Sequence, residues 1–265
     1  MSLAVTILGC GSSGGVPRPG SGWGACDPHN PKNNRRRCSI LVQRRNDAGQ
    51  ATNVLVDTSP DLREQLISSQ TKRLDGIIMT HAHADHVHGI DDVRPLVILA
   101  RNRISMYMDA VTSQTVTSRF DYIFKSPPGS QYPPLLDAKD LVSGENCVIS
   151  GPGGAVDAVP FELDHGDCKA LGFRFDDIAY TPDVVGIPDE AIRWLENLDV
   201  WVIDALRYTA HPSHFSLAEA LDWIKRMKPR RAILTNLHTD MDYARLTAEL
   251  PDGIEVAFDG MVITG

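Results

Sequence analysis

The run Thr80-His81-Ala82-His83-Ala84-Asp85-His86 constrains this chain more than any other stretch. It sets three imidazoles and a carboxylate directly after the apolar segment Leu74-Asp75-Gly76-Ile77-Ile78-Met79, which reads as a buried strand running into a loop. Neutral imidazole and carboxylate are ligands that suit zinc and its divalent neighbours. On an extended loop, side chains at i and i+2 face the same way, so His81 and His83 address one ion. Asp85 and His86 are sequence neighbours that diverge, which suits them to a second ion alongside. An expression tag would be a terminal homopolymer. This is an internal pattern at a strand end, and it reads as a metal loop.

Further ligands must come from elsewhere. Of the nine histidines, all but His29 lie at or after position 81. His165 ends the run Val159-Pro160-Phe161-Glu162-Leu163-Asp164, Asp183 follows Ile178-Ala179-Tyr180-Thr181-Pro182, and His238 follows Ala232-Ile233-Leu234-Thr235-Asn236-Leu237. Taken singly, each also reads as a hydrogen-bonded loop residue. Their common placement, where an apolar strand-like run emerges into a polar loop, makes them candidates for the missing ligands.

This pattern resembles the metallo-β-lactamase-fold hydrolases, whose signature is an HxHxDH loop followed by a later His, a bridging Asp and a last His. The likeness spans nearly the whole chain. Within that superfamily it looks most like the PhnP-type phosphodiesterases, with tRNase Z as a cousin. The supporting residues are Leu8-Gly9-Cys10-Gly11-Ser12-Ser13-Gly14-Gly15-Val16-Pro17, His214-Phe215-Ser216-Leu217 and Phe258-Asp259-Gly260-Met261. The resemblance implies an α/β fold, the four-layer αββα sandwich, in a single domain over residues 1–265. It implies two divalent metal ions per chain, with Zn and Mn the first choices. His81, His83 and His165 would bind one ion, and Asp85, His86 and His238 the other, with Asp183 bridging. Asp57, after Asn53-Val54-Leu55-Val56, looks like the superfamily's structural aspartate, which orients a ligand imidazole from behind. Its plainer reading is a residue just upstream of a helix that Ser59 caps and Pro60 opens. PhnP-type enzymes often hold a separate zinc in a close cysteine cluster. Here Cys26 and Cys38 stand apart with no CxxC or CxC pair, so no structural zinc is expected.

Charge narrows the partner. The formal net charge of −8 argues against salt-driven nucleic-acid binding over the whole surface. A pair of divalent cations would still make the site itself positive, which suits a small anionic substrate. The cluster Arg35-Arg36-Arg37, with Arg44-Arg45 beyond, reads as a solvated loop and strand edge, with phosphate steering as the alternative. Five irregularly spaced cysteines do not form a disulfide framework and fit a reducing compartment. Cys168 reads as a packed thiol. Ile7-Leu8-Gly9-Cys10 lacks the basic start and long apolar core of a lipoprotein signal, and no segment is long and apolar enough to span a bilayer. A cytoplasmic protein is expected.

Gly9-Cys10-Gly11-Ser12-Ser13-Gly14 formally matches GxGxxG. Pro17, Pro19, Gly20 and Gly22 follow where a dinucleotide site needs a helix, and no Lys-Ser/Thr follows for a P-loop. The glycines instead suit backbone passing close to the metal site. Along the chain, the patterning predicts a strand at 4–8, a hairpin of 39–43 with 53–56, a helix at 62–67 and a strand at 77–79. A helix at 87–100, interrupted at Pro95, and a Pro-rich loop at 126–134 follow. The loop reads as a wall of the substrate pocket or as a connector. The second half predicts strands near 156–163, 171–175, 178–181, 200–203, 233–234 and 255–258, with helices at 188–197 and 216–227. Two sheets packed face to face under helices accommodate this order.

The expected function is a dinuclear metal-dependent phosphodiesterase acting on a small, cyclic ribose or nucleotide phosphodiester. Metal-bound hydroxide, oriented by Asp85, would attack phosphorus while the cations neutralise phosphoryl charge. His214, in His211-Pro212-Ser213-His214-Phe215-Ser216, would protonate the leaving alkoxide, because the resemblance aligns it with the general-acid histidine. His211, His88 and His29 read as surface or supporting residues. A tRNase Z-like endoribonuclease is one alternative, weakened by the absence of a long basic arm. A thioesterase or lactonase of the same fold is another. A non-enzymatic metal-bearing protein is the third, weakened because no ligand of the pattern is missing. The expected partner is a small phosphodiester or nucleotide, not a membrane. RNA is disfavoured by the acidic balance yet stays open, and the family likeness implies a homodimer.

Overall fold

Ile40 and Val42 enter one core while Leu41 between them enters another. Val54 and Val56 against Leu55 behave alike, as do Val200 and Val202 against Trp201 and Ile203. Strands apolar on both faces must be covered on both faces. That requirement produces the layers. The computed structural model describes residues 2–264; Met1 and Gly265, the ends of the expected 1–265 domain, lie outside the described residues.

The first half of the chain supplies β1 (Ser2–Gly9), β2 (Ser39–Arg45), β3 (Ala51–Val56), β4 (Gly76–Ile78), β5 (Ile104–Met108) and β6 (Leu136–Asp140). Then come β7 (Cys147–Ile149), β8 (Val156–His165), β9 (Cys168–Phe175), β10 (Ile178–Thr181), β11 (Val200–Asp204), β12 (Arg231–Thr235), β13 (Ile254–Val256) and β14 (Val262–Thr264). One sheet has the order β14-β1-β2-β3-β4-β5-β6 and the other β13-β12-β11-β10-β9-β8-β7. Strands β3 to β6 run parallel, as do β10 to β13. Parallel neighbours need crossovers, and most of the helices lie in them.

Between the sheets, Val5, Ile40, Val54 and Ile78 meet Phe173, Tyr180, Val202 and Ile233. Helices Leu62–Ser68, Arg94–Ala100 and Ala110–Arg119 cover the outer face of the first sheet through Leu62, Leu66, Val97 and Val116. Helices Leu217–Met227 and Tyr243–Glu249 cover the second through Leu217, Ala220, Ile224 and Leu246. The αββα sandwich is the observed architecture. Helix Leu217–Met227 starts at a full capping box, Ser216 with Glu219, which holds its first turn beside the site. Among the described residues no helix is long and apolar enough to cross a membrane.

Several local expectations need correction. The predicted helix at 87–100 is three pieces: a turn Ala84–Val87, a 3-10 segment Ile90–Val93 and helix Arg94–Ala100. Gly89 sits at the break, where the chain passes so close to Ser59 that a Cβ would lie 1.9 Å from its carbonyl oxygen. Pro95 does not interrupt a helix; it occupies the first turn of the last piece, where its missing N–H costs nothing. The first helix starts after Asp61, not Ser59, whose hydroxyl accepts the Asp61 N–H and donates to Gln65 Oε1. The helix expected at 188–197 is only Asp189–Ile192. Arg35 is not solvated but buried, donating to the carbonyls of Met241 (2.7 Å) and His238 (3.4 Å) and to Asn33 Oδ1 (3.2 Å). From the Pro-rich loop, Tyr132, Pro133 and Pro134 line a surface groove together with Val97 and Ile98 of helix Arg94–Ala100.

Candidate metal centre

Loops after β3, β4, β10 and β12 carry Asp57, the 80–86 segment, Asp183 and His238, while Asp204 and His165 are the last residues of β11 and β8. Parallel strands end on a common edge, so loops distant in sequence meet there.

Asp57 anchors the metal loop. It is fully buried and accepts hydrogen bonds from the Thr80 N–H (2.8 Å) and hydroxyl (2.8 Å), while its Oδ2 lies 2.7 Å from His86 Nδ1. His86 therefore donates from Nδ1 and turns its Nε2 inward. That Nε2 is buried with no hydrogen-bond partner. His165 Nδ1 donates to the Ser213 carbonyl (2.7 Å), which likewise turns its Nε2 inward. His81 Nδ1 lies 2.9 Å from the Thr80 hydroxyl, whose own proton serves Asp57, so His81 also presents a bare Nε2.

These inner atoms crowd one another. His81 Nε2 is 2.9 Å and His165 Nε2 3.2 Å from His83 Nδ1. Asp183 Oδ2 lies 3.1 Å from His86 Nε2, 3.4 Å from His81 Nε2 and 3.7 Å from His165 Nε2. The bare Nε2 atoms of buried His81 and His165 facing the Asp183 carboxylate are unfavourable unless a cation takes them. The donor set fits divalent metal, which the fold family also binds.

Electrostatics leave His81 and His165 ready as ligands, whereas the carboxylates around His86 hold it toward its protonated form until a cation displaces that proton. Burial holds His81 well below the usual imidazole range and lowers His165, keeping both neutral as ligands must be. Burial opposes the proton on His86, but the charges of Asp183, Asp85 and Asp57 override it and push that imidazole up. Burial would raise Asp183; the adjoining His86 and His81 instead hold it well below the carboxylate range.

Three groups of ligand atoms lie within 4.8 Å of one another: His81, His83 and His165; His81, His86 and Asp183; and His165, Asp183 and His214. Asp183 belongs to two of them, between the remaining imidazoles. Asp85 and His238 stand outside these groups. Asp85 Oδ2 lies 3.4 Å from His86 Nε2, and His238 Nε2 lies 2.7 Å from Arg18 Nη1. Cys168 Sγ lies 3.9 Å from His83 Nε2, on the ring edge away from the cluster, and all five cysteines are free.

His214 is backed by a residue that sequence reasoning missed. Its Nδ1 lies 2.8 Å from Oδ2 of Asp204, which is fully buried at the end of β11 and also accepts the Val184 N–H (3.1 Å). Asn236 Nδ2 reaches Asp204 Oδ1 (3.2 Å) and Asp183 Oδ1 (3.1 Å), tying the pair to the metal centre. Burial raises Asp204 to about 7. For His214 burial acts downward, but the hydrogen bond and charge of Asp204 prevail and raise it to about 9. Its ring centroid is 4.7 Å from that of His165. Arg18 and Asn236 carried no local signal, whereas Asp204 follows Val200-Trp201-Val202-Ile203 much as Asp57 follows its own apolar run.

Comparison with known proteins places this geometry. The family model described as a beta-lactamase superfamily domain matches residues 52–236. An octanoyltransferase of Porphyromonas gingivalis is 30% identical over 260 residues, 96% of this chain and 50% of that protein. A ribonuclease Z of Bradyrhizobium sp. (strain ORS 278) is 28% identical over 151 residues, 55% of this chain and 46% of that protein. The chain thus spans about half the length of the curated relatives it matches. Among solved structures, a diphosphatase from the PhnP family is 32% identical with a TM-score of 0.88, covering 100% of this chain and 98% of that one. Human short-form tRNase Z shares the fold at 18% identity and a TM-score of 0.63, with 98% of each chain covered. A buried His/Asp cluster at the strand ends of an αββα sandwich, and a family match over most of its length, identify the chain as a member of the beta-lactamase superfamily and a hydrolase of the metallo-β-lactamase fold.

Proposed function

We propose that this hydrolase is a dinuclear metal phosphodiesterase cleaving small nucleotide- or ribose-linked phosphodiesters. The observation that carries the reading is the Asp204–His214 pair, 2.8 Å apart, beside the His/Asp cluster. Hydrolysis at a metal centre needs a proton donor only when the leaving oxygen is a poor leaving group, as a sugar alkoxide is.

His81, His83 and His165 would hold one cation and His86, Asp85 and His238 the other, with Asp183 shared. Bound divalent cations, with zinc and manganese the first candidates, supply Lewis acidity that acidifies water and neutralises phosphoryl charge. Asp57 holds His86 at its Nδ1 and so fixes which nitrogen faces the substrate. Asp85, partly exposed beside His86, orients the attacking water. His214 carries the proton for the leaving oxygen at Nε2, while Asp204 grips Nδ1 and keeps the ring protonated. Asn236 holds Asp204 and Asp183 in one frame.

Both a PhnP-family diphosphatase and the ribonuclease Z relatives bear names for cleavage at phosphorus, which supports this class. The octanoyltransferase relative supports the second reading, hydrolysis at an acyl carbon. The deciding experiment offers the metal-reconstituted protein cyclic nucleotides, linear phosphodiesters, diphosphate esters, precursor tRNA and thioesters. Turnover of the small phosphoesters is expected. Turnover of thioesters alone would replace the proposal with the acyl reading.

A further inference from the structure

Arg18 is the charged side chain at this site that the mechanism leaves unused. Its Nη1 lies 2.7 Å from His238 Nε2, its Nη2 donates to Ser12 Oγ (3.1 Å), and its Nε is buried without a partner. His238 Nδ1 sits 3.1 Å from Asp240 Oδ1, so Nε2 carries the lone pair and Arg18 donates to it. Gly14 makes room for this pose, since a Cβ there would lie 2.6 Å from both Nε and Nη2. Among the described residues its side-chain partners are an imidazole and a hydroxyl, not a carboxylate. A guanidinium held at a reaction centre with no anion to balance it is built to take one from solution.

We propose that Arg18 is the receptor for a second phosphoryl group of the substrate, the one that is not cleaved, and that it selects diphosphate esters over cyclic monophosphates. The inference rests on the phosphodiesterase reading. The reacting phosphoryl needs its oxygens at the cations, and a monophosphate diester then has no further anionic oxygen to offer. Arg18 stands on the His238 side, next to that group of ligands. Were His238 to hold a cation, Nη1 would lose its present acceptor and would be free to join Nε as a two-pronged donor. Gly14 leaves no side chain in the way of that turn.

The test measures inorganic pyrophosphate and inorganic phosphate binding to metal-reconstituted wild type, Arg18→Gln and Arg18→Lys by calorimetry, with metal per chain and melting temperature recorded for each. Arg18→Gln is expected to weaken pyrophosphate by about tenfold or more and orthophosphate far less, as loss of a charge-assisted contact predicts. Arg18→Lys should recover part of the loss, and the metal content should hold. Equal pyrophosphate affinity in wild type and Arg18→Gln would overturn the assignment while leaving the phosphodiesterase reading intact. Weakened binding that accompanies lost metal or a collapsed melting temperature in both variants would also overturn it, making Arg18 a strut. Wild type that binds neither anion would sink the phosphodiesterase reading itself.

Discussion

Replacing Asp204 by Asn removes one charge from behind His214 and changes almost nothing in shape. In the wild type, Asp204 near 7 and His214 near 9 define a window in which carboxylate and imidazolium coexist 2.8 Å apart. Without the charge, burial alone acts on His214, which falls to its ordinary 6.5 or below. At pH 8 the protonated fraction then drops from roughly 0.9 to roughly 0.03, a loss of about thirtyfold in available acid. At pH 6 the two proteins differ by less than about twofold by the same relation. The sign follows: a raised imidazole pKa keeps the acid present until pH climbs through 9, and the variant loses it through 6.5. Divalent cations bound at the adjoining cluster would lower both values and so move the window down. The assay is a pH–rate profile, between pH 5.5 and 9.5, on an alkyl phosphodiester and on an aryl one. The alkyl rate should fall on the basic side in Asp204→Asn alone, with the aryl rate spared. A loss equal at pH 6 and pH 8, or equal on both esters, would refute proton delivery through this pair.

Three further outcomes are expected. His214→Ala should keep its metal by elemental analysis yet lose about two to four orders of magnitude on alkyl esters, with aryl esters much less affected; loss of metal would make His214 a ligand, as its place with His165 and Asp183 allows. Asp57→Asn should weaken the cation at His86 by about 10- to 100-fold in a chelator titration, because the imidazole loses the carboxylate that orients it. Gly89→Ala should lower stability to denaturant by about 1–3 kcal/mol as Ser59 and Leu62 are pushed aside, with wild-type stability the result that would contradict the packing.

The part of the site most legible in sequence was the 80–86 loop, with the ends of two apolar runs beside it. His81, His83 and His86 announce themselves because short spacing implies shared direction, and Asp183 and His165 because each ends an apolar run. Arg35 misled, since three successive arginines look solvated until the 241 loop folds over the first of them. Helix Ala110–Arg119 escaped notice because it is Thr- and Ser-rich and buries only Thr112 and Val116, leaving no apolar stripe to read. Its start is clear only in three dimensions, where Asp109 caps the Thr112 N–H at 2.7 Å. Arg18 had no local mark, because its meaning comes from a partner more than two hundred residues away.

Asp57 and Asp204 carry the same lesson further. Each follows or ends a strand with a parallel neighbour, Asp57 after β3 and Asp204 closing β11, one in each sheet. Each is fully buried, and each holds the Nδ1 of an imidazole, His86 at 2.7 Å and His214 at 2.8 Å. Yet their neighbours divide the roles. The carboxylates around His86 push it up as well, but its Nε2 points at Asp183 and Asp85 inside the ligand cluster, where a bound cation would take the place of that proton. His214 is driven to keep its proton, so the second pair presents an acid. One motif, a buried carboxylate behind an imidazole, thus yields a ligand on one sheet and a proton donor on the other. Exchange should therefore be asymmetric: Asp57→Asn changes metal affinity with little change in the basic limb of the pH profile, and Asp204→Asn does the reverse. Variants that moved both quantities alike would mean that the two carboxylates act as one structural unit and that this division of labour is wrong.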